Sequence, residues 1–181
     1  MALILNKEDG SGMADANSYA DVPDGDMYHE AHLYASAWTS ATEARKEAAL
    51  MMATRLIDSQ FQFRGFRAHG EQALQWPRTE CPDPDRGGVV WGVRTPECVE
   101  PDVVPAAVVA ATCELARELL VADRTGAPVG QGLSYSNVGT TQTGYKAEDR
   151  RPILPELVQS MLGKFGVLVS GRSGSVRLVR V

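Results

Sequence analysis

A mainly α fold is what this sequence predicts: a small helical bundle with a β-hairpin-like arm, a long Pro/Gly loop and an extended, strand-like C-terminal tail. Three observations carry that reading. SATEARKEAALMMATRLIDSQF and VVPAAVVAATCELARELLVAD both repeat apolar residues at helical spacing. Between them, ECPDPDRGGVVWGVRTPECVEPD holds four prolines and three glycines, which break regular structure. At 181 residues and 44% apolar content, the chain can bury one core and still extend arms. The expected division is a helical domain over 1–166, with the loop at 80–101 and a strand arm at 133–146, and a C-terminal extension over 167–181.

Each element has a local reason. ALIL is apolar enough for a short strand, and NKEDGSG ends it with turn formers. In ANSYADVPDGDMYHEAHLY, Ser18 or Asp21 serves as a cap and Pro23 suits a first turn, predicting a short helix over Pro23–Tyr34 that Gly25 weakens. Ser40 and Glu43 have the spacing of a capping box. The helix they would open runs to about Phe61, with Ala49, Met52, Ala53, Leu56 and Ile57 on its apolar face.

The Pro/Gly segment reads as an irregular loop with a short strand at Val89–Val93. Asp102 and Pro105 then open a second helix, Val104–Ala122, with Val108, Ala111, Thr112, Leu115 and Leu119 inward and Glu114, Arg117 and Glu118 toward water. LSYSNVGTTQTGYK suits an exposed hairpin arm, and a last short helix is expected around Leu154–Leu162, ending near Gly163. VLVSGRSGSVRLVRV reads as two strand-like pieces around a Ser-Gly turn. Its end, Val176–Val181, offers an apolar, basic edge that a partner is expected to cover.

Net charge is −5, with a pI of about 5.2, a poor match to a protein that coats phosphate backbones. The charge is uneven: residues 157–181 carry four bases and no acid. The N-terminus lacks the layout of a signal peptide, and no apolar run reaches the ~20 residues that span a bilayer. Cys81, Cys98 and Cys113 are odd in number and without C-x-x-C spacing. A soluble protein of a reducing cytoplasm is expected.

Catalytic chemistry finds little support. His29 and His32 stand three apart on an expected helix, a geometry open to a metal-dependent enzyme, yet H-E-x-x-H is absent and solvated histidines are the commoner outcome. G-x-S-x-G, G-x-G-x-x-G and G-x-x-x-x-G-K-[ST] are also absent. No enzyme, cofactor or metal is expected. FRGFRAHGEQALQWPRT alternates arginine with aromatic residues, so Arg64, Arg67, Trp76 and Arg78 form a possible single-stranded-DNA grip. The competing reading is structural: Phe63, Arg64, Gly65, Trp76, Pro77 and Arg78 pin a loop to the helices. The acidic total favours the second.

The order of pieces completes the reading. A-N-S-Y at Ala16–Tyr19, F-R-G at Phe63–Gly65 and Q-x-L-x-W-P-R-T at Gln72–Thr79 occur with KEAALMMATRLID, VVPAAVVAATCELA and SNVGTTQTGYK. Together, over about Gly12–Gly166, they resemble the tailed-phage head-tail connector, or neck adaptor, family, whose members often carry a DnaT-like single-stranded-DNA-binding label. The resemblance implies a structural ring, twelve-fold to match the portal, joining the portal to the next neck or tail component. Double-stranded genomic DNA would pass through it without specific binding. Its implied partners are further copies of the chain, the portal and the downstream neck protein, and its implied place is the virion neck after assembly in the bacterial cytoplasm. Beyond the resemblance, the residues of the tail themselves suggest an assembly interface that includes Val181: Val176, Leu178 and Val179 are expected to supply strand pairing and apolar contact, and Arg172, Arg177 and Arg180 to pair with an acidic neighbour.

Overall fold

The computed structural model describes residues 4–90, 92–126, 136–138, 141–143 and 152–169. Helix α1 (Val22–Glu30) leads to a single turn, α2 (Ser36–Thr39), and then to α3 (Glu43–Gln60). Short strands follow at β1 (Phe61–Phe63), β2 (Phe66–Arg67) and β3 (Arg78–Thr79), and longer ones at β4 (Pro82–Val90) and β5 (Val93–Cys98). The chain continues through α4 (Ala106–Val121), β6 (Ser136–Val138), β7 (Thr141–Thr143), α5 (Glu156–Leu162) and β8 (Gly166–Leu168). Among the described residues these strands make four antiparallel two-stranded sheets, β1–β8, β2–β3, β4–β5 and β6–β7.

The architecture is therefore mixed α/β, not the mainly α bundle expected from sequence. The helices were legible because their period is local. Six of the eight described strands have only two or three residues, and β1 and β8 are joined from distant parts of the chain. The Pro/Gly segment is also ordered as the β4–β5 hairpin rather than as a loop. Pro82 opens its strand, where a missing donor costs little. Pro84 falls in the register shift between Asp83 and Gly87, outside the regular ladder. The strand expected at Val89–Val93 straddles the chain reversal, since Val90 pairs with Val93 and Gly92 takes φ +77°.

The core forms where α3 and α4 pack together, with α1, α2 and α5 laid against α4. Trp38, Trp76, Tyr19 and Phe61 are its largest fully buried side chains. Ala49, Ala53, Leu56 and Ile57 of α3 face it as expected, and Leu50, Met51 and Thr54 are buried as well. Gly25, unfavourable within α1 by propensity, is explained by Trp38: a Cβ there would sit 2.3 Å from the indole. The same indole donates from Nε1 to Asp26 Oδ1 at 2.8 Å, and Lys46 pairs with Asp26.

Local readings of the helix ends are corrected. Asp21 does cap α1, in a reciprocal pair with Asp24. α1 nevertheless stops at Glu30 and not at Tyr34, because Ala31 closes it and the His32 N–H turns back to the His29 carbonyl. Ser40 and Glu43 form no capping box: Thr42 precedes α3, and the Ser40 hydroxyl donates to the Ser36 carbonyl, closing α2 instead. Pro105, not Asp102, stands at the start of α4. Glu114, assigned to the wet side, is only 2% exposed and is held by Arg117. Of the expected N-terminal strand, Ile4 and Leu5 are described and lie outside any strand. No helix among the described residues is long and apolar enough to cross a membrane.

Candidate functional site

Three short motifs far apart in sequence meet at one junction. From A-N-S-Y, the Asn17 side chain accepts from the Asn6 N–H and donates to the Ile4 carbonyl, and the Ser18 carbonyl accepts from the Glu8 N–H. These bonds tie down the N-terminal segment. The Glu8 carboxylate is itself buried and accepts the N–H groups of Gly10, Gly12 and Met13 at 2.8–2.9 Å.

Tyr19 is fully buried; its hydroxyl donates to Asp58 Oδ1 at 2.5 Å and accepts the N–H groups of Gln75 and Trp76. Asp58 Oδ2 also takes the Gln75 N–H, at 3.0 Å. Burial pushes the Asp58 carboxyl up to about 6, against the opposing pull of the Tyr19 and Gln75 hydrogen bonds and of Arg67 and Arg78. Burial, with Asp58 alongside, drives the Tyr19 phenol well above its usual range.

Q-x-L-x-W-P-R-T supplies the rest. Gln72 is buried, accepts the His69 N–H and donates to the carbonyls of Leu74 and Pro77. Trp76 is fully buried and meets Phe63 and Phe165 edge-on, with centroids 5.5 and 5.7 Å away; the Trp76–Pro77 peptide is cis. Arg78, 6% exposed, donates to the carbonyls of Phe63, Arg64, Gly65 and Gln75 at 2.6–3.3 Å and to Gln75 Oε1 at 3.0 Å. Burial lowers its pKa. Gly65 takes φ +72°, and a Cβ there would lie 2.2 Å from the Thr79 carbonyl oxygen, so F-R-G places glycine just before β2, where the end of β3 passes against the backbone.

Of the four residues read as a nucleic-acid grip, the fold thus encloses Trp76 and Arg78 and leaves Arg64 and Arg67 exposed. Arg64 donates to the Lys164 carbonyl. Phe66, between them, is 67% exposed. Beside the junction a cavity of about 510 Å³ opens to the surface, lined among others by Met51, Arg55, Asp58, Arg67, Leu74 and Gln75. Arg55 and Asp58 were not singled out in sequence, because on α3 they read as ordinary residues of a polar face.

His29 is buried, with Nε2 3.1 Å from the Cys113 carbonyl oxygen and its pKa lowered by burial; His32 Nε2 lies 3.7 Å from Glu114 Oε2. Among the described residues no group of three or more His, Cys, Asp or Glu side chains is arranged to hold a metal ion. Cys81 and Cys113 are buried thiols, the latter pushed up to about 12 by burial, and Cys98 is an exposed thiol. Arg172, Val176, Arg177, Leu178, Val179, Arg180 and Val181, expected to form an assembly interface, lie outside the described residues.

Asp58 makes a pH prediction. An unfolded aspartate titrates near about 3.9, so the folded chain binds this proton more tightly. Its stabilising contribution is full below about pH 4 and is lost as pH rises through about 6. In urea titrations, wild-type stability is expected to fall by roughly 2–3 kcal/mol more than that of Asp58→Asn across this window. Parallel profiles for the two proteins would contradict the buried-carboxyl assignment.

The junction holds backbone carbonyls, N–H groups and aromatic rings from three separate stretches of the chain in fixed places. The chain belongs to the family described as “Putative DnaT-like ssDNA binding protein”, whose model matches residues 1–181. No curated protein and no solved structure matches it.

Proposed function

We propose that this chain is a structural head-tail adaptor of a tailed bacteriophage, assembling as a ring between the portal and the next neck or tail component and leaving a passage for DNA. The observation that carries this reading is the pair of hairpins, β4–β5 and β6–β7, each a two-stranded sheet with no third strand among the described residues. An isolated hairpin contributes little stability by itself, and its free edges are suited to adding strands from another chain. Pro84 to Gly88 of β4, with Val93 and Glu97 of β5, are exposed. A chain of net charge −5 also suits a bore through which a polyanion must slide.

The test is the mass of the purified chain, alone and on portal-bearing heads. A discrete ring on the heads is expected, and failure to bind them would overturn the reading. Residues 167–169 belong to the folded body, since β8 pairs with β1 and the Val169 N–H donates to the Gln60 carbonyl. Truncation to test the tail should therefore remove 170–181, leaving a folded chain that no longer attaches.

A second reading, single-stranded-DNA binding, is favoured by the family description and by exposed Phe66 between Arg64 and Arg67. Titration with an oligonucleotide at two salt concentrations separates the two, because phosphate contacts impose a steep salt dependence. The adaptor reading expects no affinity above the non-specific level. Salt-sensitive binding lost in Phe66→Ala would favour the second reading.

A further inference from the structure

The cavity beside the Tyr19–Asp58–Gln75 junction is lined by two cations, Arg55 and Arg67. Both are exposed at its rim, and neither guanidinium makes a hydrogen bond or ion pair among the described residues, Arg67 acting on the Asp58 carboxyl only at longer range. In a chain with more acids than bases, and with most of its other described cations paired to carboxylates or carbonyls, such a rim calls for an anionic partner. The floor is of the opposite character: Met51 and Leu74 give it an apolar surface. An occupant that fits must offer an apolar side chain and a carboxylate on one face of an extended segment.

The β4–β5 hairpin presents that combination. Its register shift falls on β4, so β5 runs regularly and Val93 and Glu97, four residues apart, lie on one face of it. Val93 is 64% exposed, Glu97 is exposed, and among the described residues Glu97 makes no ion pair and the sheet has no third strand. We propose that the Arg55/Arg67 cavity receives the Val93–Glu97 face of β5 from a second copy of this chain, Glu97 pairing with the two arginines and Val93 covering the Met51/Leu74 floor. Because cavity and hairpin are different surfaces, the contact is head-to-tail, the type that generates a ring when its rotation closes. The inference rests on the adaptor reading and names the subunit contact that reading requires.

The test uses the full chain carrying a photo-crosslinking side chain at position 93, at high concentration and on portal-bearing heads, with the crosslinked peptides mapped. Crosslinks between copies are expected in Met51–Ser59 or Ala73–Gln75. Charge reversal provides an independent readout: Arg55→Glu with Arg67→Glu, or Glu97→Arg alone, is expected to weaken self-association about tenfold or more, and combining all three to restore most of it. The three side chains are exposed and Arg67→Glu removes a favourable charge near Asp58, so thermal melts accompany every variant, and a retained cooperative transition excludes misfolding as the cause.

Crosslinks to the same chain, to the portal or to another region of the second copy would overturn the assignment, as would a triple variant no better than its parents. If rings form on heads but ignore these changes, the cavity assignment fails and the adaptor reading stands. If the wild-type chain neither self-associates nor binds heads, both fall.

Discussion

Replacing Arg78 by methionine is expected to lower the unfolding free energy by about 4 kcal/mol, although its hydrogen-bond acceptors are all uncharged. The guanidinium is the common donor for the carbonyls of Phe63, Arg64, Gly65 and Gln75, which belong to two separate stretches of chain. Each buried acceptor left unpaired costs roughly 1–3 kcal/mol, and water admitted to the gap recovers part of the sum. Arg78→Lys is expected to recover less than half of the loss, because one ammonium cannot reproduce a planar fork that reaches four carbonyls. Urea denaturation followed by tryptophan fluorescence measures both variants. A stability within about 0.5 kcal/mol of wild type in Arg78→Met would refute the pinning role, since such small changes are typical of an uninvolved surface site.

Trp76→Ala is the second large effect, expected to cost roughly 3–5 kcal/mol as a buried aromatic-to-alanine change. The indole fills the space between Phe63 at the end of β1 and Phe165 just before β8, so its removal loosens the β1–β8 pairing as well as the core. Hydrogen exchange should show this locally: amides of 61–63 and 166–168 lose protection beyond the global change, while the centre of α4 follows the global change alone. The result bears on function too. Any loss of oligonucleotide binding in Trp76→Ala would follow from a loosened fold as readily as from a lost contact, so exposed Phe66, not buried Trp76, is the informative aromatic position for that question.

Much of the helical framework was legible because its signals are local. Apolar spacing located α3 and α4, and Asp21 with Pro23 marked the start of α1. Charged residues misled where their burial depends on neighbours: Glu114 reads as solvent-facing on a helical wheel, yet α1 covers it and Arg117 holds it. Gly25 reads as a helix fault until the Trp38 indole is placed against it. Turn residues misled in the other direction. The prolines of 80–101 suggested an irregular loop, whereas a proline at a strand start and another in a register shift are compatible with a hairpin.

By itself the sequence determined the positions of the long helices, the acidic balance and the lack of common catalytic motifs, because periodicity, charge and motif spacing survive in any conformation. Only the tertiary structure decided that A-N-S-Y, F-R-G and Q-x-L-x-W-P-R-T share one hydrogen-bonded junction, that Phe61–Phe63 pairs with Gly166–Leu168, and that Arg55 and Arg67 flank a cavity. The reason is that a strand of three residues, or a buried arginine, takes its energy from distant backbone groups. Which groups those are is set by how the helices pack, and no local pattern records it.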